Sequence, residues 1–122
     1  MKTNKTTIET KVIDANGRTL GRLASEVAGF LMGKTLTSFQ RHIYSGIPVK
    51  VINASKLRIT NKKLSEIYHT RYSGYRGGLR VLGGHYTKET KGLRELVKLA
   101  VFQMLPDNKL RREMMKNLII ED

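Results

Sequence analysis

Apolar residues recur along this chain in two rhythms. Leu20, Leu23, Ala24, Val27, Ala28 and Leu31 fall at i, i+3, i+4, i+7, i+8 and i+11, which makes one apolar stripe along a helix. Gly33 follows as a C-terminal stop, and Arg22 and Glu26 lie on the opposite, wet edge. Leu93, Leu96, Val97, Ala100, Val101 and Met104 repeat the spacing until Pro106 halts it. A third amphipathic helix is predicted over 108–119, with Leu110, Met114 and Leu118 on one side and Arg111, Arg112 and Lys116 largely off it. These Met and Leu positions read as core. Elsewhere the apolar runs are short and β-prone. K-V-I-D-A at 11–15 closes at the turn dipeptide Asn16-Gly17, V-K-V-I-N-A at 49–54 forms a second strand, and 57–60 a third. Residues 64–70 read equally as a ribbon or as a helix start, and 35–48 has no period and reads as a loop.

Strand, helix and strand at this spacing suit a parallel α/β sheet, because parallel neighbours need a crossover of roughly a dozen residues. The 122 residues allow one domain with a real core and are too few for two, so 1–122 is read as one unit. Residues 1–10 are expected to form an extended basic N-terminal segment.

Charge adds a partner to this picture. Lys and Arg number 23 against 10 acids, a net charge of +13 that speaks of a polyanionic partner and not of fold. Between Val27 and Lys88 stand eleven cations and a single acid, Glu66. Within that stretch, H-T-R-Y-S-G-Y-R-G-G-L-R over 69–80 interleaves guanidinium groups, phenol rings and glycines. Arg bonds phosphate bidentately, Tyr stacks on unpaired bases, and Gly lets backbone approach a sugar-phosphate surface. A solvated loop would have a similar composition. No run reaches the ~18 apolar residues of a membrane span, and 1–10 lacks the apolar centre of a secretory signal. The absence of Arg there, with Glu9 present, argues against an organellar presequence. With no cysteine in the chain, disulfides, thiolate metal sites and cysteine catalysis are excluded, and the chain reads as intracellular.

Catalytic chemistry has few candidates. His42, His69 and His85 are scattered without H-x-x-x-H spacing, so no metal site is expected. G-R-T-L-G at 17–21 lies where a dinucleotide fingerprint would, yet it lacks G-x-G-x-x-G and a P-loop Lys-Ser/Thr pair. Asn53 stands where an acid would hold a ribose. Gly17 is read as a turn residue and Gly21 as a close-packing residue. The helix start could still take an RNA phosphate, helped by Arg18 and Arg22.

The blocks V-I-D-A-N-G-R-T-L-G-R-L-A-S (12–25), V-I-N-A (51–54), G-Y-R-G-G-L (74–79) and M-L-P-D-N (104–108) strongly resemble the universal large-subunit ribosomal protein family L-thirteen, in order and spacing. The resemblance implies an α/β fold of three layers, α/β/α, with a small, mostly parallel sheet of about four strands. It implies a protein that binds large-subunit ribosomal RNA beside neighbouring ribosomal proteins and supports assembly. No catalysis, cofactor, metal, membrane or small-molecule substrate is implied. The expected location is cytoplasmic, on the ribosome, with an organellar ribosome open. Several positions depart from the bacterial pattern: Thr10 replaces an aromatic, Tyr44 and Ile47 replace an acidic pair, and M-L-P-D-N-K-L-R-R replaces M-L-P-K-N-x-L-G-R. The usual bacterial C-terminal tail is expected to be short after Asp122. Lys34, Arg41, His42, Lys62, Lys63, Arg71, Tyr72, Gly74, Tyr75, Arg76, Gly77, Gly78, Arg80, Lys109, Arg111 and Arg112 are the residues expected on RNA. The alternatives are an extraribosomal RNA-binding or regulatory protein and a nucleotide-dependent α/β enzyme.

Overall fold

The longest apolar stripe folds as predicted. In the computed structural model, which describes residues 9–44 and 46–122, helix α1 spans Leu20–Met32 and buries all six stripe residues. Gly33 ends it with φ 78, a left-handed conformation that costs a Cβ-bearing residue more than glycine, and the Lys34 N–H closes back on the Gly29 carbonyl at 3.2 Å. The segment expected over 1–10 lies, except for Glu9 and Thr10, outside the described residues.

Strands β1 (Lys11–Asp14) and β2 (Val49–Ile52) flank α1 in sequence and pair in parallel, with Ile13 opposite Val51. After β2 come a 3-10 turn (Ala54–Lys56), helix α2 (Asn61–Glu66), strands β3 (Tyr68–Tyr72) and β4 (Leu79–Gly83), and helices α3 (Gly84–Lys91) and α4 (Leu93–Met104). Helix α5 (Leu110–Lys116) and strand β5 (Leu118–Ile120) complete the order. The parallel sheet has the order β1-β2-β5, and β3 and β4 form a separate antiparallel pair. The α/β class is therefore as expected, while the parallel sheet has three strands instead of about four.

Two local expectations are corrected. Residues 57–60 form no strand: their one β-type pairing is a parallel bridge from Arg58 to Thr19, Leu57 and Ile59 pack on the core, and Thr60 turns away to cap α2, its hydroxyl accepting from the Lys63 N–H at 3.3 Å. The helix predicted over 108–119 stops at Lys116. Leu118–Ile120 leaves it as β5, where β-branched Ile119 and Ile120 take the open edge of β2. The ambiguous 64–70 holds both readings, the end of α2 and then β3. Helix α3 had no apolar stripe to announce it, since G-H-Y-T-K-E-T-K buries only Gly84 and Thr87.

The core lies between one face of the sheet and helices α1 and α4. Ile13, Val49 and Val51 meet Leu23, Val27, Leu31, Val97 and Val101 in one apolar cluster. On the other sheet face Val12 is 55% and Ile119 53% exposed, flanking Lys50. The C-terminal ends of β1 and β2 are locked together by polar bonds. Asp14 Oδ1 accepts from the Asn16 N–H at 2.9 Å and from Asn53 Nδ2 at 3.0 Å, and Asn53 sits at φ 57. Asparagine tolerates that conformation better than most residues, so the position denied to a ribose-binding acid here serves the sheet. Those bonds, the Asn16 N–H foremost, hold the Asp14 carboxyl below its usual range.

Candidate nucleic-acid interface

The β3–β4 ribbon has little apolar support of its own. Its root is pinned where the Gly84 N–H donates to the Ile67 carbonyl at 2.8 Å, and a Cβ on Gly84 would fall 2.5 Å from the Leu64 carbonyl oxygen. From this close junction the ribbon runs outward. The register sets His69 opposite Leu82 and Arg71 opposite Arg80 on one face, and Thr70 opposite Val81 and Tyr72 opposite Leu79 on the other. On the second face Tyr68, Tyr72, Leu79 and Val81 are 61% to 66% exposed. A two-stranded ribbon open to water on one face and only half-covered at His69 and Leu82 on the other has little to hold it, and directly opposed like charges weaken it further. Arg71 facing Arg80 has no folding rationale, whereas two guanidinium groups side by side form a receptor for phosphate.

The connecting loop, 73–78, extends the same chemistry. Gly74 and Gly77 take φ values of 88 and 74, so the chain turns sharply and lifts Tyr75, 79% exposed, to the tip beside Arg76. Gly78 packs near the Ser73 side chain and its N–H bonds the Tyr75 carbonyl at 3.0 Å. Among the described residues Arg71, Arg76 and Arg80 form no ion pair; the four pairs present are Arg18–Glu26, Lys50–Glu121, Arg111–Asp107 and Lys116–Glu113.

A second cationic group adjoins the ribbon. The N-terminal end of α1 and the start of α2 bound an open groove of about 490 Å³ lined by Arg22, Arg58 and Lys63, with the Thr19 and Thr60 side chains between them and no acid. Lys63 also lines the neighbouring groove that holds His69, and His69 in turn shares a third groove with Arg71. Three adjoining grooves therefore form a track from Arg58 through Lys63 and His69 to the ribbon, the middle one largely apolar and the last also lined by Glu95. Lys62 is exposed next to Lys63. Arg18 does not line this groove, because Glu26 holds it in an ion pair. Arg22 stands where the sequence placed a helper for a phosphate at the helix start, whereas Arg58 was not among the expected residues. Arg58 stands between Leu57, which is buried, and half-buried Ile59, an alternation that turns it outward and is visible in the sequence.

The remaining expected residues lie apart from that track. Lys34 and Arg41 line a groove with Phe39, Gln40 and Asn108, and exposed Lys109 follows Asn108 directly. His42 and Arg112 are exposed as well. Arg111 differs from its neighbours: it is half-buried, donates to Asp107 Oδ1 at 2.8 Å, and lies 3.9 Å from the Phe102 ring centroid. Its guanidinium already has a carboxylate and an aromatic face. Gly21, read as a packing residue, has no atom near a Cβ placed on it, while Gly17 at φ 70 makes the expected turn. At the altered loop, Tyr44 is half-buried and its hydroxyl accepts from Asn117 Nδ2, which ties Tyr44 to the residue ahead of β5. Ser45 lies outside the described residues. Among the described residues no cluster of metal-ligating side chains and no helix long and apolar enough to cross a membrane occurs.

Comparison with known proteins gives the family. The family model described as ribosomal protein L13 matches residues 9–120. The chain belongs to the ribosomal protein L13 family. It is similar to the large ribosomal subunit protein uL13 of Natranaerobius thermophilus, 44% identical over 106 residues that cover 87% of this chain and 73% of the relative. The uL13 proteins of Pelotomaculum thermopropionicum, 46% identical over 108 residues, and Aquifex aeolicus, 45% identical over 107, each cover 88% of this chain and 74% of the relative. The first matched residue is Glu9, so the matched family region begins just ahead of β1.

Proposed function

We propose that this L13-family chain is a structural, non-enzymatic constituent of the large ribosomal subunit that holds large-subunit RNA by its phosphates and supports subunit assembly. The observation that carries the reading is Arg71 set opposite Arg80 on an exposed ribbon without a carboxylate partner among the described residues. Two guanidinium groups held side by side recognise a phosphate bidentately, and the track through Lys63, Arg22 and Arg58 continues that contact over further phosphates. Lys34, Arg41, Lys62, Arg76, Lys109 and Arg112 add positive charge around it, Tyr72 and Tyr75 offer rings for stacking, and Gly74, Gly77 and Gly78 allow close backbone approach. His42 is exposed next to Arg41, apart from the track. Arg111 is assigned to α5 packing in place of RNA. Neighbouring ribosomal proteins share this environment, on a cytoplasmic ribosome.

Co-sedimentation tests the reading. The chain is expected to travel with large subunits and to stay with them in high salt. A chain that sediments free, or with messenger RNA complexes instead, would support the extraribosomal reading.

A further inference from the structure

The groove that holds Lys34 and Arg41 has a composition the phosphate contacts do not explain. It lies between the loop after α1 and the turn after α4, and its volume is about 270 Å³. Pockets for drug-sized molecules run from about 300 to 1,000 Å³, so this one matches a single planar ring system. Phe39 and the buried Met114 give it an apolar floor and wall. Lys34 and Arg41 stand on its rim, neither in an ion pair among the described residues, and no acid lines it. Ile43 on the same lining is 52% exposed, so apolar surface is left open there.

Two carboxamides complete the lining, those of Gln40 and Asn108. Asn108 Oδ1 is engaged by the Leu110 N–H at 3.0 Å, which leaves its Nδ2 hydrogens to donate elsewhere. An aromatic and a thioether for stacking, amides that read a base edge and cations for a phosphate are the parts of a nucleotide site. An apolar protein side chain would use the floor and leave both cations and both amides without partners.

We infer that this groove receives one unpaired nucleotide of the large-subunit RNA, its base against Phe39 and its phosphate beside Lys34 and Arg41. The inference rests on the RNA-binding reading above. It adds a contact to a base where the ribbon and the Arg58 track supply contacts to the backbone.

The experiment places the photoreactive p-benzoylphenylalanine at position 39 of the full chain, in purified large subunits, and maps the cross-link. A cross-link to the base of one or two adjacent nucleotides is expected. In parallel, Phe39→Ala is expected to raise the chemical reactivity of the Watson–Crick edge of the same nucleotide and to weaken RNA binding about 5- to 150-fold, the usual range for one stacked base. The thermal melting of the free chain should not move, because Phe39 is outside the core cluster. Gln40→Ala, on an exposed side chain, should raise the same reactivity to a lesser degree. Cross-links to a neighbouring protein, cross-links to nothing, or unchanged reactivity in subunits that retain Phe39→Ala would overturn the inference and leave the phosphate contacts standing. A chain absent from the subunits altogether would overturn both.

Discussion

The sheet with its helices and the β3–β4 ribbon are both built from short strands, yet they answer to different constraints. In β2, Val49 and Val51 are buried completely and each has an apolar neighbour in the core. In the ribbon, Tyr68, Tyr72, Leu79 and Val81 face water and two arginines face one another. The first region is explained by what it packs against inside the chain. The second has far less support within the chain, which is why an RNA partner is proposed for it. Sensitivity to mutation should therefore divide between the regions: core changes lower stability, and ribbon changes lower binding.

The sharpest contrast comes from the core. Leu23 is fully buried, and Leu23→Ala is expected to cost about 2–5 kcal/mol of folding free energy, read as a lower midpoint in denaturant. The protein that remains folded should bind RNA as before. At the ribbon, Arg71, Tyr75 and Arg76 replaced together by Ala should weaken RNA binding by several kcal/mol at most, since each contact contributes about 1–3 and need not add. Melting of the free protein should move little, about 0.5 kcal/mol or less for each exposed site. A triple variant that melts much earlier and binds normally would assign these residues to packing and end the comparison.

Smaller effects test the joint between β1 and β2. Asn53→Ala places a less tolerant residue at φ 57 and removes the bond to Asp14, with an expected loss of about 1 kcal/mol of stability by thermal melting. Asn53→Gly should recover the part due to backbone conformation and not the part due to the hydrogen bond. The pH effect of Asp14 is smaller still. Its carboxyl is held below the unfolded value of about 3.9, so the anion binds fewer protons in the native state than in the unfolded one. The contribution is present above that value and is lost as pH falls through the lower, native one. Asp14→Asn should flatten the acid limb of the stability curve at that point, and an unchanged limb would remove Asp14 from the account.

How much of this was legible in the sequence follows from where the determining contacts lie. The stripes of α1 and α4 were readable because their spacing is local and long enough to exclude a strand. Strand β5 was hidden because Leu118 continues the spacing of Leu110 and Met114, and only the free edge of β2 decides against the helix. The antiparallel pairing of β3 and β4 brings Arg71 to Arg80, so the cationic ribbon was legible as composition and not as a facing pair. Arg22 and Lys63 belong to different helices, and the groove they share with Arg58 exists only in the folded chain. The two contacts of Arg111 differ in how far the sequence shows them. Its partner Asp107 stands at i−4, in plain view, whereas Phe102 comes alongside through the turn between α4 and α5.

The central claim, that this chain holds ribosomal RNA chiefly by its phosphates, is tested most directly by measuring affinity for large-subunit RNA across a range of salt concentrations. Contact with about six to eight phosphates predicts a log-log slope of about −5 to −7, at roughly −0.9 for each phosphate neutralised on a duplex. A slope shallower than about −2 would contradict the account, because the arginines of the ribbon and of the Arg58 track would then contribute little to binding.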